Sequence, residues 1–123
     1  MKNIVKVFKV LSDESRLRVL AILDVRACCV CEVMQVLEIS QSKASRILSS
    51  LYDAGILNLQ REGLWALYSI DWKGMDSYLK DIVEQTVNVL KTNSKVVKDR
   101  ERLNSTERVG PGCVCKPQKA KAS

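Results

Sequence analysis

Apolar residues in the first half of the chain recur every three or four positions, the period of helices lying against a core, and switch to every second position after residue 55. Over residues 3–11, Ile4, Val5, Phe8 and Leu11 share one helical face. Ser12 and Asp13 then supply an N-cap and a first-turn acid for a helix running to about residue 23, with Leu17, Leu20 and Leu23 as its core stripe. The period breaks over residues 24–26, and residues 32–37 predict a short third helix burying Val33 and Leu37. Ser40 is a hydroxyl cap for a fourth helix, in which Ala44, Ile47, Leu48 and Leu51 define a buried face before Ala54-Gly55 ends it. Residues 56–60 alternate as a half-buried strand, Arg61-Glu62-Gly63 predicts a turn, and Trp65, Leu67 and Ile70 continue a second strand. Residues 72–90 then carry Met75, Tyr78, Leu79, Ile82, Val83, Val89 and Leu90 at helical spacing, a stripe too long for a small core and so a candidate dimer face. The predicted order is α-α-α-α-β-β-α, mainly α with a small β-hairpin, which is the order of a winged helix-turn-helix. Trp65, Tyr68, Trp72 and Tyr78 fit packing roles in that arrangement better than base stacking.

Composition narrows the picture. With 123 residues and 46% hydrophobic content the chain supports one compact domain with a modest core. No apolar run approaches the ~20 residues of a membrane span, and Lys6 and Lys9 interrupt the start, so a cytoplasmic protein without a membrane partner is expected. Five cysteines, an odd number, point to a reducing compartment and to metal or redox chemistry rather than a disulfide framework. The absence of histidine, of a phosphate-binding glycine loop and of a cysteine–histidine dyad speaks against an enzyme. The net charge of +6 is uneven: residues 1–90 hold eleven Lys/Arg and eleven Asp/Glu, whereas residues 91–123 hold nine and three. The excess therefore describes the C-terminal segment, expected to be a basic, flexible tail that adds nonspecific attraction to phosphate.

Two patterns carry chemistry. The outward face of the fourth helix shows Gln41, Ser42, Lys43, Ser45, Arg46 and Ser49, side chains that reach phosphates and base edges, with no acid until Asp53. Such a face on an isolated helix is usually just solvated, but here a strand pair with Arg61 and Gly63 at its turn follows it. The second pattern is Cys28 and Cys29-Val30-Cys31 ahead of that helix, with Cys113-Val114-Cys115 near the end. Thiolates are soft ligands, and Arg26 together with helix-start amides favours the thiolate form. On a regular helix Cys29 and Cys31 lie ~200° apart while Cys28 and Cys31 lie nearly on one face, so joint ligation by Cys29 and Cys31 requires a bent helix start. Cys28 alone reads as core packing. The turn-rich segment 110–117 offers no burial that would explain Cys113 and Cys115.

The chain resembles the arsenic-sensing ArsR/SmtB family of winged-helix repressors. The resemblance rests on Leu11-Ser12-Asp13 with Ser15-Arg16-Leu17-Arg18, on Cys29-Val30-Cys31-Glu32-Val33, on Ser40-Gln41-Ser42-Lys43-Ala44-Ser45-Arg46, on the segment 51–57 with Ala54-Gly55, and on Arg61-Glu62-Gly63-Leu64-Trp65-Ala66-Leu67-Tyr68, covering about residues 8–70 in order. It implies a DNA-binding and dimerisation domain over residues 1–90, followed by the tail of residues 91–123 with its Cys pair. It further implies a homodimer that sits on double-stranded operator DNA without ligand and dissociates when As(III), or Sb(III), binds cysteine thiolates, with no permanent cofactor. The metal ligands would be Cys29 and Cys31, with a third from Cys28, Cys113 or Cys115. The DNA contacts would come from Ser40, Gln41, Ser42, Lys43, Ser45, Arg46, Ser49, Arg61 and Gly63. There are three departures from the family: Met34 stands where the best-known arsenic sensors carry a third cysteine, Ile47 stands where relatives often carry histidine, and the missing histidines remove the zinc site some relatives build on their last helix. Two alternatives stay open on the same fold, a repressor responding to Cd(II) or Pb(II) and one responding to thiol oxidation; a soft-metal carrier or thiol redox protein is the alternative from a different class.

Overall fold

A computed structural model describes residues 1–108 of the chain. Its elements are α1 (Lys2–Leu11), α2 (Glu14–Leu23), α3 (Val30–Leu37), α4 (Gln41–Asp53), β1 (Leu57–Glu62), β2 (Trp65–Ile70), α5 (Ser77–Leu90) and α6 (Ser94–Leu103). The predicted series of helices and hairpin is present, with one helix added at the end.

Helix α2 is the hub. Asp13 caps it, accepting the backbone N–H of Arg16 at 3.0 Å, and Val19, Leu20, Ala21, Ile22 and Leu23 are all buried, as in a helix surrounded on every side. Arg16 also turns back to donate to the carbonyls of Lys9 and Val10, closing the end of α1. Helix α1 meets this hub through Val7 and Val10, not through the predicted face: Val5 and Phe8 are exposed, and Ile4 and Leu11 are half-buried. The reason is that apolar residues at 4, 5, 7, 8, 10 and 11 give α1 two apolar faces, and a single neighbouring helix can cover only one.

Between α3 and α4 the chain turns through Glu38, whose φ of 59° puts a residue other than glycine in the left-handed region. Ser40 then caps α4 by accepting the Lys43 N–H at 3.1 Å, and the buried residues of α4 are the predicted Ala44, Ile47, Leu48 and Leu51. Strands β1 and β2 pair antiparallel from Leu57↔Ile70 to Glu62↔Trp65, leaving Gly63-Leu64 as a two-residue connection. Gly63 takes φ +61°, as the first position of a type II′ turn requires. The hairpin has a third backbone partner. Cys28 N–H donates to the Tyr68 carbonyl at 3.0 Å and Tyr68 N–H donates back at 2.8 Å.

Helix α5 buries Leu79, Val83 and Val87 and leaves a second stripe, Tyr78, Ile82 and Val89, outside the buried set. The folded chain continues past residue 90, where a flexible tail was expected. Asn93 caps α6 through the N–H groups of Lys95 and Val96, and Val96, Asp99 and Leu103 are buried. Its charges pair with those of α2 and its flanks: Arg18 grips Asp99 with two bonds of 2.8 Å, Arg100 reaches Asp24 and the Ala21 carbonyl, and Lys95 pairs with Glu14. Helix α6 was missed because it is held by charge complementarity with few apolar residues, so its basic content read as a solvated segment. Residues 109–123, with Cys113 and Cys115, lie outside the described residues. Among the described residues no helix is long and apolar enough to cross a membrane.

Candidate DNA interface and thiol centre

The polar face of α4 is presented as its sequence anticipated. Gln41, Ser42, Lys43, Arg46 and Ser49 are exposed and Ser45 is half-buried. Ser40 is exposed too, but its hydroxyl oxygen is engaged in the cap. A cleft between the start of α2 and α4 is lined by Arg16, Lys43, Ser45, Arg46 and Ser49, with Asp13 and Asp53 also on its wall. Arg61 and Gly63 are exposed on the hairpin beyond α4. The recognition-type helix and the hairpin are joined by an edge-to-face contact of Tyr52 and Tyr68, ring centroids 6.5 Å apart. Exposed cations thus stand on both elements, Lys43 and Arg46 on α4 and Arg61 on the hairpin.

The thiol centre lies at the start of α3. Cys29 is the residue before the helix, extended at φ −96° and ψ 172°, while Cys31 is inside the first turn. The 200° separation expected on a regular helix therefore does not apply, and no bent helix is needed. The two sulfurs lie 2.9 Å apart. An ion with sulfur bonds of about 2.3 Å holds two thiolates within about 4 Å of each other, so one soft ion could reach both sulfurs once the disulfide at Cys29 is reduced. Cys28 does not share a helical face with Cys31. It belongs to the bridge with Tyr68, is fully buried, and its sulfur faces the Arg26 carbonyl at 3.5 Å. Burial, with the nearby Glu32 charge adding to it and Arg26 and Arg108 opposing it, pushes the Cys28 thiol up to about 12. Met34 is buried in the core. Among the described residues no group of three or more His, Cys, Asp or Glu side chains has metal-holding geometry.

A carboxylate organises this turn. Glu32, 2% exposed, accepts the Cys29 N–H at 3.0 Å, the Arg26 guanidinium at 2.7 Å and the Arg108 guanidinium at 3.1 Å, with the Thr106 hydroxyl at 3.5 Å. Gln35 makes a reciprocal pair with the backbone of Glu107, at 2.7 and 3.1 Å, and the Cys31 sulfur lies 3.7 Å from the Glu107 carbonyl. Residues 104–108 thus form a strap from the end of α6 across the thiol turn. The strap was not foreseen. The one sequence signal for it was Glu32 itself, an acid at the third helical position, where it can reach back to the cap N–H.

Comparison with known proteins fits this geometry. The family description "Bacterial regulatory protein, arsR family" matches residues 13–58, from the cap of α2 into β1. A cadmium resistance transcriptional regulatory protein CadC homolog of Staphylococcus aureus is 36% identical over 84 residues, which is 68% of this chain; the chain spans 66% of that protein, just under two thirds of its length. The arsenic resistance transcriptional regulator ArsR2 of Pseudomonas putida is 38% identical over 94 residues, covering 76% of this chain and 78% of its own. Among solved structures, HlyU from Vibrio cholerae superposes with a TM-score of 0.60 at 26% identity, covering 72% of this chain and 91% of that one. The two relatives are transcriptional regulators by name, not enzymes. Given the extent of the match to the Pseudomonas protein and the match of residues 13–58 to the family description, the chain belongs to the arsR family of bacterial regulatory proteins.

Proposed function

We propose that this chain is a homodimeric transcriptional repressor that holds an inverted-repeat operator through α4 and the hairpin, and releases it when As(III) binds the thiolates of Cys29 and Cys31. The observation that carries the reading is the 2.9 Å approach of those two sulfurs at the start of the helix that packs directly ahead of α4. Arsenous acid, As(OH)3, exchanges hydroxide for thiolate at arsenic. Once a thiol reductant has opened the disulfide at Cys29, each exchange releases one water carrying the thiol's proton, and arsenic stays at As(III) throughout. Ligation fixes the Cys29–Cys31 turn in one geometry and so biases the placement of α3 and α4. Direct DNA contacts come from Gln41, Ser42, Lys43, Ser45, Arg46 and Ser49, with Arg61 and Gly63 on the hairpin meeting the flanking backbone and Ser40 setting the helix start. Dimerisation uses the exposed apolar residues Val5 and Phe8 of α1 with Tyr78 and Val89 of α5, flanked by the partly buried Ile82. Two copies present two α4 helices about one helical turn of DNA apart.

The likeness to a cadmium regulator supports one second reading, release by Cd(II) through the same thiolates. The test is fluorescence anisotropy on the duplex that the full-length chain selects from a random pool. Arsenite, Cd(II) and Zn(II) are titrated in turn against the wild type and a Cys29→Ser, Cys31→Ser variant. Arsenite is expected to weaken wild-type binding by roughly 5- to 150-fold and to leave the variant unaffected. Release by Cd(II) alone selects the second reading, and release of the variant by arsenite removes Cys29 and Cys31 from the site.

A further inference from the structure

We infer that Arg16, in the first turn of α2, clamps a backbone phosphate of the operator duplex in the cleft beside α4, and so sets the register in which α4 meets the base edges. This rests on the operator reading above, to which it adds a contact from outside α4 and the hairpin.

The disposition of one guanidinium carries the inference. Arg16 is half-buried, and its Nη1 donates to the carbonyls of Lys9 and Val10 at 3.3 and 3.2 Å, which fixes the plane of the group at the end of α1. An arginine carries five N–H donors, so the Nε hydrogen and the two Nη2 hydrogens are left over. The Nε–Nη2 edge is a fork that grips a carboxylate or a phosphate with two parallel bonds. Arg18, two residues on, uses that same edge on Asp99, at 2.8 Å for each bond. In Arg16 the edge takes no acceptor, and the side chain makes no ion pair, among the described residues. The buried unpartnered side-chain atoms there are Trp65 Nε1 and Arg100 Nε, so the edge of Arg16 meets water. The cleft that Arg16 lines has a volume of about 550 Å³, with Lys43 and Arg46 on its α4 wall. Its acids are Asp13 and Asp53, and one oxygen of Asp13 is spent on the Arg16 backbone N–H. Three cations thus share the cleft with two carboxylates, a surplus of one positive charge that a single phosphodiester neutralises. Lys43 and Arg46 also belong to the exposed face of α4, so an anion seated beside them lies at the edge of the groove that α4 enters. Such a contact carries no sequence information but fixes where the reading helix sits. Because two carbonyls already hold the guanidinium, little rotamer freedom is lost when the phosphate arrives.

A charge-removing variant and neutralised DNA test this together, on the full-length chain and the duplex it selects from a random pool. Arg16→Gln keeps an amide that can donate to the end of α1 and removes the charge, and circular dichroism checks its fold. Anisotropy over a range of salt gives the slope of log K against log salt concentration. Methylphosphonate groups placed singly along the DNA backbone remove one phosphate charge at a time and leave the protein unaltered. The expected slope for Arg16→Gln is shallower by about 0.9 for each subunit bound. Affinity for the selected duplex and for a scrambled one should fall by the same factor, as loss of a phosphate contact requires. One phosphate per half-site should be found whose neutralisation weakens the wild type and leaves Arg16→Gln unaffected. A folded Arg16→Gln with the wild-type slope and the wild-type methylphosphonate profile overturns the inference and leaves Arg16 as the closure of α1 alone. Asp53→Asn supplies a second measurement, at an exposed acid of the same cleft. Removing its charge should tighten binding of every duplex by about two- to fivefold, and unchanged affinity excludes a phosphate from the cleft even where Arg16→Gln fails to fold. A wild type that binds the selected and the scrambled duplex alike refutes the operator reading itself, so the two failures are distinguishable.

Discussion

If α6 is an integral part of the fold, the ion pair that seats it should respond asymmetrically to loss of either partner. Arg18 and Asp99 make two bonds of 2.8 Å; the Asp99 side chain is 1% exposed and that of Arg18 21%. Replacing Arg18 with alanine strands a buried carboxylate, and breaking a buried pair in this way costs about 3–5 kcal/mol. Replacing Asp99 with alanine strands a guanidinium that already reaches water and can rotate further out, so the expected loss is smaller, about 2 kcal/mol. For a domain of this size the first change lowers Tm by roughly 10 °C or more and the second by about half as much. The assay is urea unfolding followed by circular dichroism at a single protein concentration, because a dimer's apparent stability depends on concentration. The double variant closes a cycle in which the coupling should reach about 1–3 kcal/mol. Equal losses, a reversed order, or an Arg18→Ala loss below about 0.5 kcal/mol would refute the packing of Asp99 of α6 against Arg18 of α2.

Three further outcomes follow from the interface and its supports. Arg46→Ala should weaken operator binding by ~1–3 kcal/mol at fixed salt without changing the circular dichroism spectrum, and an unchanged affinity removes Arg46 from base reading. Ser40→Ala should lower stability by ~1 kcal/mol through loss of the cap, and Ser40→Asp should restore it in urea unfolding, since an aspartate accepts the same Lys43 N–H; failure of that restoration places the role of Ser40 elsewhere. Phe8→Glu buries a charge in the expected dimer face but sits 55% exposed in the monomer, so light scattering should report a folded monomer, and a persistent dimer excludes α1 from the interface.

What could be read from the sequence depended on which force held each element. Helix α4 was legible down to its cap and its four buried residues because a period of 3.6 and a hydroxyl cap are both local signals. The hairpin was legible through the turn at Gly63, but the half-buried alternation read over residues 56–60 is not what β1 shows, since Ile56 and Leu57 are both buried and Leu59 is exposed. Helix α1 was read with the wrong face inward, since two apolar faces on one short helix leave the choice to tertiary contacts. Helix α6 was illegible because its stability comes from partners some eighty positions away, Arg18 with Asp99 and Glu14 with Lys95, and nothing near residue 99 announces them. At the thiol centre the cysteines were found but their geometry was not: starting α3 one residue after Cys29 turns two opposed side chains into neighbours. The role of Glu32 beyond its own helix depended on the strap, which meets it only in three dimensions.

The bridge between Cys28 and Tyr68 gears the hairpin to the thiol turn. A two-stranded ribbon standing alone is barely stable, and here its root is a rung shared with the residue that precedes Cys29. Tyr68 is four residues from Leu64 at the tip, a lever arm of about 13 Å, so a tilt of about 5° at the rung displaces the tip by about 1 Å. That is enough to break contact with a phosphate. Movement at a site measured in tenths of an ångström is therefore enlarged at the far end of the hairpin, on the side of the molecule that would lie against DNA.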